Sequence, residues 1–137
     1  MFEEVVVRNK SETPLLDFLQ VNDFMVEELT AKVLKVKRTG EIPVYLNVEE
    51  SVIFFQVDLG NVSKIAGDDL YFRLLDLNTE ILPVSIGIST IDSSDPRLVL
   101  IESREVRNLD ENEILSVFAA LELAVDKVEE MLSEYLK

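Results

Sequence analysis

Apolar side chains recur at spacings of three and four residues through the last part of the chain, and this stripe constrains the fold more than any other feature. Its members are Ile114, Phe118, Leu121, Val125, Val128, Leu132 and Tyr135, widened by Val117, Ala124 and Met131. Such spacing places the side chains on one face of an α-helix. Asp110 followed by Glu113 is a capping-box pattern that predicts where the helix begins. A helix of about 26 residues is nearly 40 Å long, enough to span a compact chain of this size and to overhang it.

The stripe has two interpretations. In the first, its apolar face only packs on a sheet of the same chain. In the second, it is too long and wide for one sheet, and it buries a second copy of the chain or a client segment of another protein. The second interpretation assigns partner binding to part of the stripe, namely Leu121, Val125, Val128, Met131, Leu132 and Tyr135.

Shorter periodic segments predict the remaining elements. Helical spacing indicates helices and apolar–polar alternation indicates strands. The predicted elements are a helix from Thr13-Pro14 to Asn22, strands over 29–37, 42–48 and 51–59, a helix from Asp68 or Asp69 to Pro83, and strands over 84–91 and 98–106. Thr13 is expected to cap the first helix, and Asp68 or Asp69 the second. Residues 2–7 are β-prone and form either an edge strand or a loose arm.

The order of the predicted elements is α-β-β-β-α-β-β-α, ending in the long C-terminal helix. Short connections between the strands predict an antiparallel sheet, here of about five strands, with the helices covering one face. The chain has 137 residues and contains neither a linker nor an internal repeat. We therefore predict an α+β fold in a single domain over residues 1–137.

Charge narrows the range of partners. The 27 acidic residues against 13 basic ones give a net charge of −14. We expect no binding to nucleic acid and none to anionic membranes, because both repel such a chain. Favoured partners are basic proteins, or proteins whose apolar segments need an acidic escort, although acidity also simply keeps a cytosolic protein soluble. An acidic start and the absence of a long apolar run predict a cytoplasmic protein without membrane insertion.

Residue types exclude most catalytic machinery. The chain has no His, Cys or Trp, which removes Ser-His-Asp and Cys-His nucleophiles and His-ligated or Cys-ligated zinc. Asp92 and Asp95 flank Ser93-Ser94, where they either ligate a hard cation or form an Asx turn, and turn chemistry favours the second. We predict no metal, no cofactor and no catalytic residue. Arg97, Arg104 and Arg107 are expected to pair with acids rather than to form an anion site, because Arg97 and Arg104 lie on opposite faces of a strand.

Three segments carry a resemblance to a known family. They read Ile-Pro-Val-Tyr-Leu-Asn-Val at 42–48, Leu-Pro-Val-Ser followed by Gly87-Ile88 at 82–88, and Leu-Ala-Val-Asp-Lys-Val at 123–128. With their spacing, they cover most of the chain from Gly40 on. On these segments the chain resembles the YjfI-like family of uncharacterised bacterial proteins. One departure is the strand before the last helix, which contains aromatic residues and glycine in that family and reads Leu-Val-Leu-Ile-Glu-Ser here, at 98–103.

The element order, the acidity and the small size also look like the fold of type III secretion chaperones and their relatives. The YjfI-like resemblance implies no established activity, but it implies a role beside a phage-shock-type membrane-stress protein. We therefore expect a non-enzymatic, chaperone-like protein-interaction module, present as a homodimer. The alternatives are a small-ligand-binding protein or carboxylate-dependent enzyme, and a structural subunit of a larger complex.

Overall fold

The computed structural model describes residues 2–8 and 12–136. Three helices and eight strands make up the described chain. The helices are α1 (Leu15–Val21), α2 (Asp68–Leu77) and α3 (Glu111–Ser133). The strands are β1 (Val6–Arg8), β2 (Glu12–Pro14), β3 (Met25–Thr30), β4 (Val33–Lys37), β5 (Val44–Glu49), β6 (Val52–Gly60), β7 (Ser85–Ser89) and β8 (Arg97–Glu105). Single 3₁₀ turns occupy Phe2–Glu4 and Ser63–Ile65.

A six-stranded antiparallel sheet in the order β3-β4-β5-β6-β8-β7 organises the molecule. The predicted α+β class is confirmed, with one strand more than expected. The predicted strand over 29–37 is in fact the end of β3 and all of β4, separated by a turn at Ala31-Lys32. The Lys32 backbone N–H donates to Thr30 Oγ1 at 3.1 Å within this turn. The turn was missed because it carries neither glycine nor proline.

The N-terminal segment forms a separate two-stranded hairpin from β1 and β2. Of residues 2–7, only Val6 and Val7 lie in a strand, since Phe2–Glu4 form a 3₁₀ turn. This strand belongs to the hairpin and not to the edge of the main sheet, so the segment is neither the expected edge strand nor a loose arm. The expected cap at Thr13 is wrong, because Thr13 lies in β2 opposite Val7. Pro14 is the N-cap residue of α1 instead, and no side chain caps that helix. Helix α1 ends at the predicted place, where the Asn22 amide donates to the Phe18 carbonyl at 2.8 Å.

Helix α2 differs from the prediction at both ends. Its N-cap is Gly67, and Asp68 and Asp69 lie in the first turn, where carboxylates favour the positive end of the helix dipole. The helix ends at Leu77, several residues before Pro83. Asn78 explains the early end, because its Oδ1 accepts a hydrogen bond of 2.6 Å from the Ile86 backbone and so ties the turn to β7.

One face of the sheet is covered and builds the core. Strands β4, β5 and β6 alternate between buried and half-buried residues, and Leu34, Leu46 and Phe55 stand side by side on the buried face. Helix α3 packs there, with the Phe118 ring edge-on to Phe55 at 5.8 Å. The predicted cap of α3 is confirmed, since Asp110 Oδ1 accepts from the Glu113 backbone N–H at 2.8 Å.

The end of α3 packs on the domain rather than overhanging it. Met131 and Leu132 are only 8% and 7% exposed, which corrects the expectation of an overhang. Polar contacts hold the same end against α2. Arg73 Nη2 lies 2.5 Å from Glu134 Oε2, and the Tyr135 hydroxyl donates to Asp69. Among the described residues, no helix is both long enough and apolar enough to cross a membrane.

Candidate protein-binding surface

The residues predicted to bind a partner lie mostly inside the molecule. Leu121, Val125, Val128, Met131 and Leu132 are between 0% and 8% exposed, and Tyr135 is half-buried. Their packing on the sheet accounts for the stripe without any second chain. Partner binding by these residues stays a prediction, and the accessible apolar surface of the molecule lies elsewhere.

Exposed apolar side chains of α2 and β7 form the candidate surface. We call it the α2–β7 surface, and its members are Tyr71, Phe72 and Leu75 on α2 and Ile88 on β7, each 40% or more exposed. A groove of about 240 Å³ runs between the helix and the strand, with Leu75, Gly87 and Ile88 among its lining residues. Exposed apolar groups of this density mark interaction sites on soluble proteins.

Helix α2 exposes these groups because its apolar stripe is wider than the face it buries. Leu70 and Leu74, one turn apart, are 1% and 3% exposed and enter the core. Tyr71 and Leu75 follow them by one residue each and therefore lie on the neighbouring face, above the groove. Sequence periodicity shows this wide stripe, but it does not show which part of the stripe the sheet covers.

Strand β7 adds a sheet edge to the same surface. It is hydrogen-bonded to β8 on one side, and it ends the sheet on the other. Its sequence Ser-Ile-Gly-Ile-Ser has no charge and no proline, the devices that commonly protect edges. The opposite edge strand β3 has both Glu27 and Glu28 and an irregular register between Glu28 and Thr30. Asn78 Oδ1 already accepts from the Ile86 backbone N–H at this edge. The rest of β7, from Gly87 to Ser89, is therefore the part of the edge that can pair with another chain.

The predicted turn at Asp92 is confirmed by its hydrogen bonds. Asp92 Oδ1 accepts from the Ser94 backbone N–H at 3.0 Å and from the Ser94 hydroxyl at 2.6 Å. These bonds hold the pKa of Asp92 below its ordinary value. Asp95 pairs with Arg97 at 3.2 Å, as expected for salt bridges. Among residues 2–8 and 12–136, no three carboxylates converge as a metal site would require.

One carboxylate is buried in the core. The Glu102 side chain is 2% exposed on the covered face of β8, and Arg104 Nη2 lies 2.6 Å from its Oε1. Neither carboxylate oxygen has a described partner with hydrogen-bond geometry, so the contact is an ion pair only. Burial raises the pKa of Glu102, and the charge of Arg104 opposes that shift only in part.

This burial predicts a pH-dependent gain in stability for Glu102→Gln. A raised folded pKa means that ionisation costs stability, and the cost appears as the pH rises from the unfolded pKa through the folded pKa. The variant should melt a few degrees above the natural chain at pH 7, because glutamine has no charge to desolvate and the Arg104 side chain, 26% exposed, keeps its contact with water. The advantage should shrink as the pH falls and vanish well below the unfolded pKa of about 4.3, where Glu102 is protonated in both states. Thermal unfolding followed by circular dichroism across this range measures it, and an advantage that grows toward acid would contradict the account.

Sequence comparison agrees with this architecture. The sequence model of the CesT_Tir_1 family matches residues 9–137, nearly the whole chain. The chain belongs to the CesT_Tir_1 family. This family is type III secretion chaperone-like, so the resemblance to those chaperones is confirmed. No curated protein matches the chain in sequence, and the more specific resemblance to the YjfI-like family stays a prediction.

Two solved structures share the fold of this CesT_Tir_1 protein. One is a chain of the heterodimeric ExoU-SpcU complex from the type III secretion system of Pseudomonas aeruginosa, with a TM-score of 0.66 and 17% identity over 82% of this chain and 93% of that one. The other is YbjN from E. coli, a proposed transcription regulator, with a TM-score of 0.70 and 17% identity over 97% and 96% of the two chains. At this identity the likeness establishes the fold alone.

Proposed function

We propose that this chain is a non-enzymatic, chaperone-like protein-binding module that forms a homodimer through the α2–β7 surface. Membership of a type III secretion chaperone-like family supports the general class. The observation that carries the proposal is the coincidence of exposed Phe72, Leu75 and Ile88 with a sheet edge that has neither charge nor proline. The apolar side chains gain from leaving water and the edge can accept another strand, so one contact uses both features.

A second copy is the simplest occupant of this surface. Two β7 strands related by a twofold axis run antiparallel, so they can pair edge to edge and extend the sheet across both chains. The two α2 helices then meet on the same side of the joint, with Phe72 and Leu75 between them. The proposal thus places self-association at the β7 edge of the sheet.

A different protein is the proposed cargo of the dimer. The structural relative from Pseudomonas aeruginosa belongs to a heterodimeric complex, which supports a protein partner for members of this fold. We place the protein in the cytoplasm, in keeping with its charge of −14. A phage-shock-type membrane-stress protein is the partner that the YjfI-like resemblance implies, and it stays a prediction.

Charge on the α2–β7 surface should separate the two chains. Leu75→Asp and Ile88→Asp each place a carboxylate in the proposed interface, where desolvation makes it costly. We expect each variant to weaken dimerisation by about 100-fold or more, measured by light scattering after size exclusion. Leu123→Asp is the matched control, because Leu123 is 65% exposed on α3 and lies outside the surface. An unchanged dimer in both test variants would contradict the proposed interface.

Affinity isolation from the native cell tests the chaperone-like role. The natural chain, the Leu75→Asp variant and the Leu123→Asp control are isolated in parallel, and the proteins retained with each are identified. We expect one protein partner in near-stoichiometric amount with the natural chain and with the control. Retention of small molecules turned over by the chain, with no protein partner, would instead support the enzyme alternative.

A further inference from the structure

The face of the sheet opposite α3 carries a second apolar site. A depression of about 480 Å³ lies on this face, which we call the open sheet face. Strands β4, β5, β6 and β8 line it, and no helix contributes to its lining. Tyr45, Phe54 and Ile101 supply its apolar centre, and each is half-buried. These side chains shield one another in the absence of any covering element.

The depression also has polar groups at its floor. Asn47 stands opposite Phe54 in the β5–β6 register, and Gln56 stands opposite Tyr45 on one side and Ile101 on the other. The amides of Asn47 and Gln56 form no hydrogen bond with any described residue, so both are available to a ligand. An apolar concavity with a few well-placed polar groups is the usual composition of a binding site.

The shape of the open sheet face selects its occupant. Two copies of a concave surface cannot fill each other, so a second copy placed face to face would leave the depression empty. The occupant must therefore be convex. A helix is about 10 Å in diameter and is a common occupant of apolar grooves on proteins. The open sheet face is thus distinct from the α2–β7 surface, where a sheet edge invites self-pairing.

Charge defines the chemistry of that helix. Glu49 and Glu105 lie on either side of Val52, in one row across the strands. This row is at the end of the face where β5 turns into β6, which we call the hairpin end, and both glutamates are exposed. None of the described basic residues forms a salt bridge with either glutamate. Lys35, at the β4 side, stands between Glu27 and Tyr45 in register, so the basic charge beside the depression lies away from Glu49 and Glu105. A basic flank on the bound helix would therefore meet unpaired carboxylates at the hairpin end, in a chain whose net charge is −14.

We propose that the open sheet face binds an amphipathic helix of a partner protein, with an apolar stripe over Tyr45 and Phe54 and lysines or arginines toward Glu49 and Glu105. This inference rests on the proposed protein-binding function and assigns the chemistry of the cargo. The apolar stripe fills the depression. The basic flank sets the orientation of the bound helix and raises the association rate.

A synthetic helical peptide of leucine and lysine at amphipathic spacing is the probe. Titration calorimetry should show saturable binding, one peptide per chain. Two control peptides are used, one with glutamate in place of lysine and one with the same composition in scrambled order. We expect both to bind at least about tenfold more weakly, because the first loses the charge match and the second loses the stripe.

Variants of the protein locate the bound peptide. The double variant Tyr45→Ser/Phe54→Ser should weaken binding about tenfold or more, because central aromatic anchors carry most of the affinity. Glu49→Gln/Glu105→Gln changes only exposed groups, and it should weaken binding and reduce its salt dependence. Leu75→Asp, on the α2–β7 surface, should bind the peptide as the natural chain does.

The outcomes separate this inference from the proposed function. If the serine and glutamine variants bind the leucine–lysine peptide as the natural chain does, the open sheet face is not its site. If Leu75→Asp abolishes binding instead, the α2–β7 surface takes the helix, and the inference is overturned while the module still binds protein. Equal binding of the glutamate peptide would overturn the charge assignment.

Discussion

Phe118→Ala is expected to lower the free energy of unfolding by about 3–5 kcal/mol. Phe118 is 3% exposed and lies at the centre of an aromatic group in the core. Its ring centroid is 4.5 Å from that of Phe24 and 5.8 Å from that of Phe55. Truncation removes both aromatic contacts and leaves a cavity between α3 and the sheet. Urea denaturation at a fixed protein concentration measures the loss, because the proposed dimerisation would make apparent stability depend on concentration.

Leu123→Ala is the matched control for Phe118→Ala. Leu123 lies on the same helix but is 65% exposed, so its truncation should change the free energy of unfolding by no more than about 0.5 kcal/mol. Similar losses in the two variants would mean that α3 does not present Phe118 to the sheet as described.

Val128→Asp should unfold the chain at neutral pH. Val128 is 0% exposed in the middle of α3, and an unpaired carboxylate there would be buried among apolar side chains. The cost of burying such a charge, several kcal/mol, approaches the whole stability of a domain of this size. Far-ultraviolet circular dichroism and the dispersion of amide signals in NMR report the loss of structure.

Lys127→Asp introduces the same side chain one position away on the exposed face of α3. It should leave the chain folded, since Lys127 lies in solvent. A folded Val128→Asp variant that is merely monomeric would place Val128 between chains. That result would support the interpretation in which the C-terminal stripe binds a partner.

Local signals in the sequence predicted the elements whose structure is local. The capping residue Asp110 and the apolar spacing that follows it define α3 within a single segment, and both agree with the structure. The alternation in β5 likewise placed Val44 and Leu46 on the buried face and Tyr45 on the other. The turn between β3 and β4 was not predicted, because Thr30 and Lys32 form it without glycine or proline.

The candidate site depends on long-range topology, which the spacing of residues does not contain. Periodicity showed that Leu75 and Leu121 are both apolar members of helical stripes. It did not show that the sheet covers Leu121 and leaves Leu75 in solvent. The exposure of β7 similarly follows from its place beyond β8 at the end of the sheet. One signal was available, since Ser85–Ser89 is a short strand without charge or proline, and strands of this kind are safe only when paired.

Sedimentation equilibrium of the natural chain shows whether the proposed dimer exists. We expect a species of twice the chain mass in the micromolar range, and a return to the chain mass in the Leu75→Asp and Ile88→Asp variants at the same concentrations. A natural chain that sediments as a clean monomer at high micromolar concentration would contradict it.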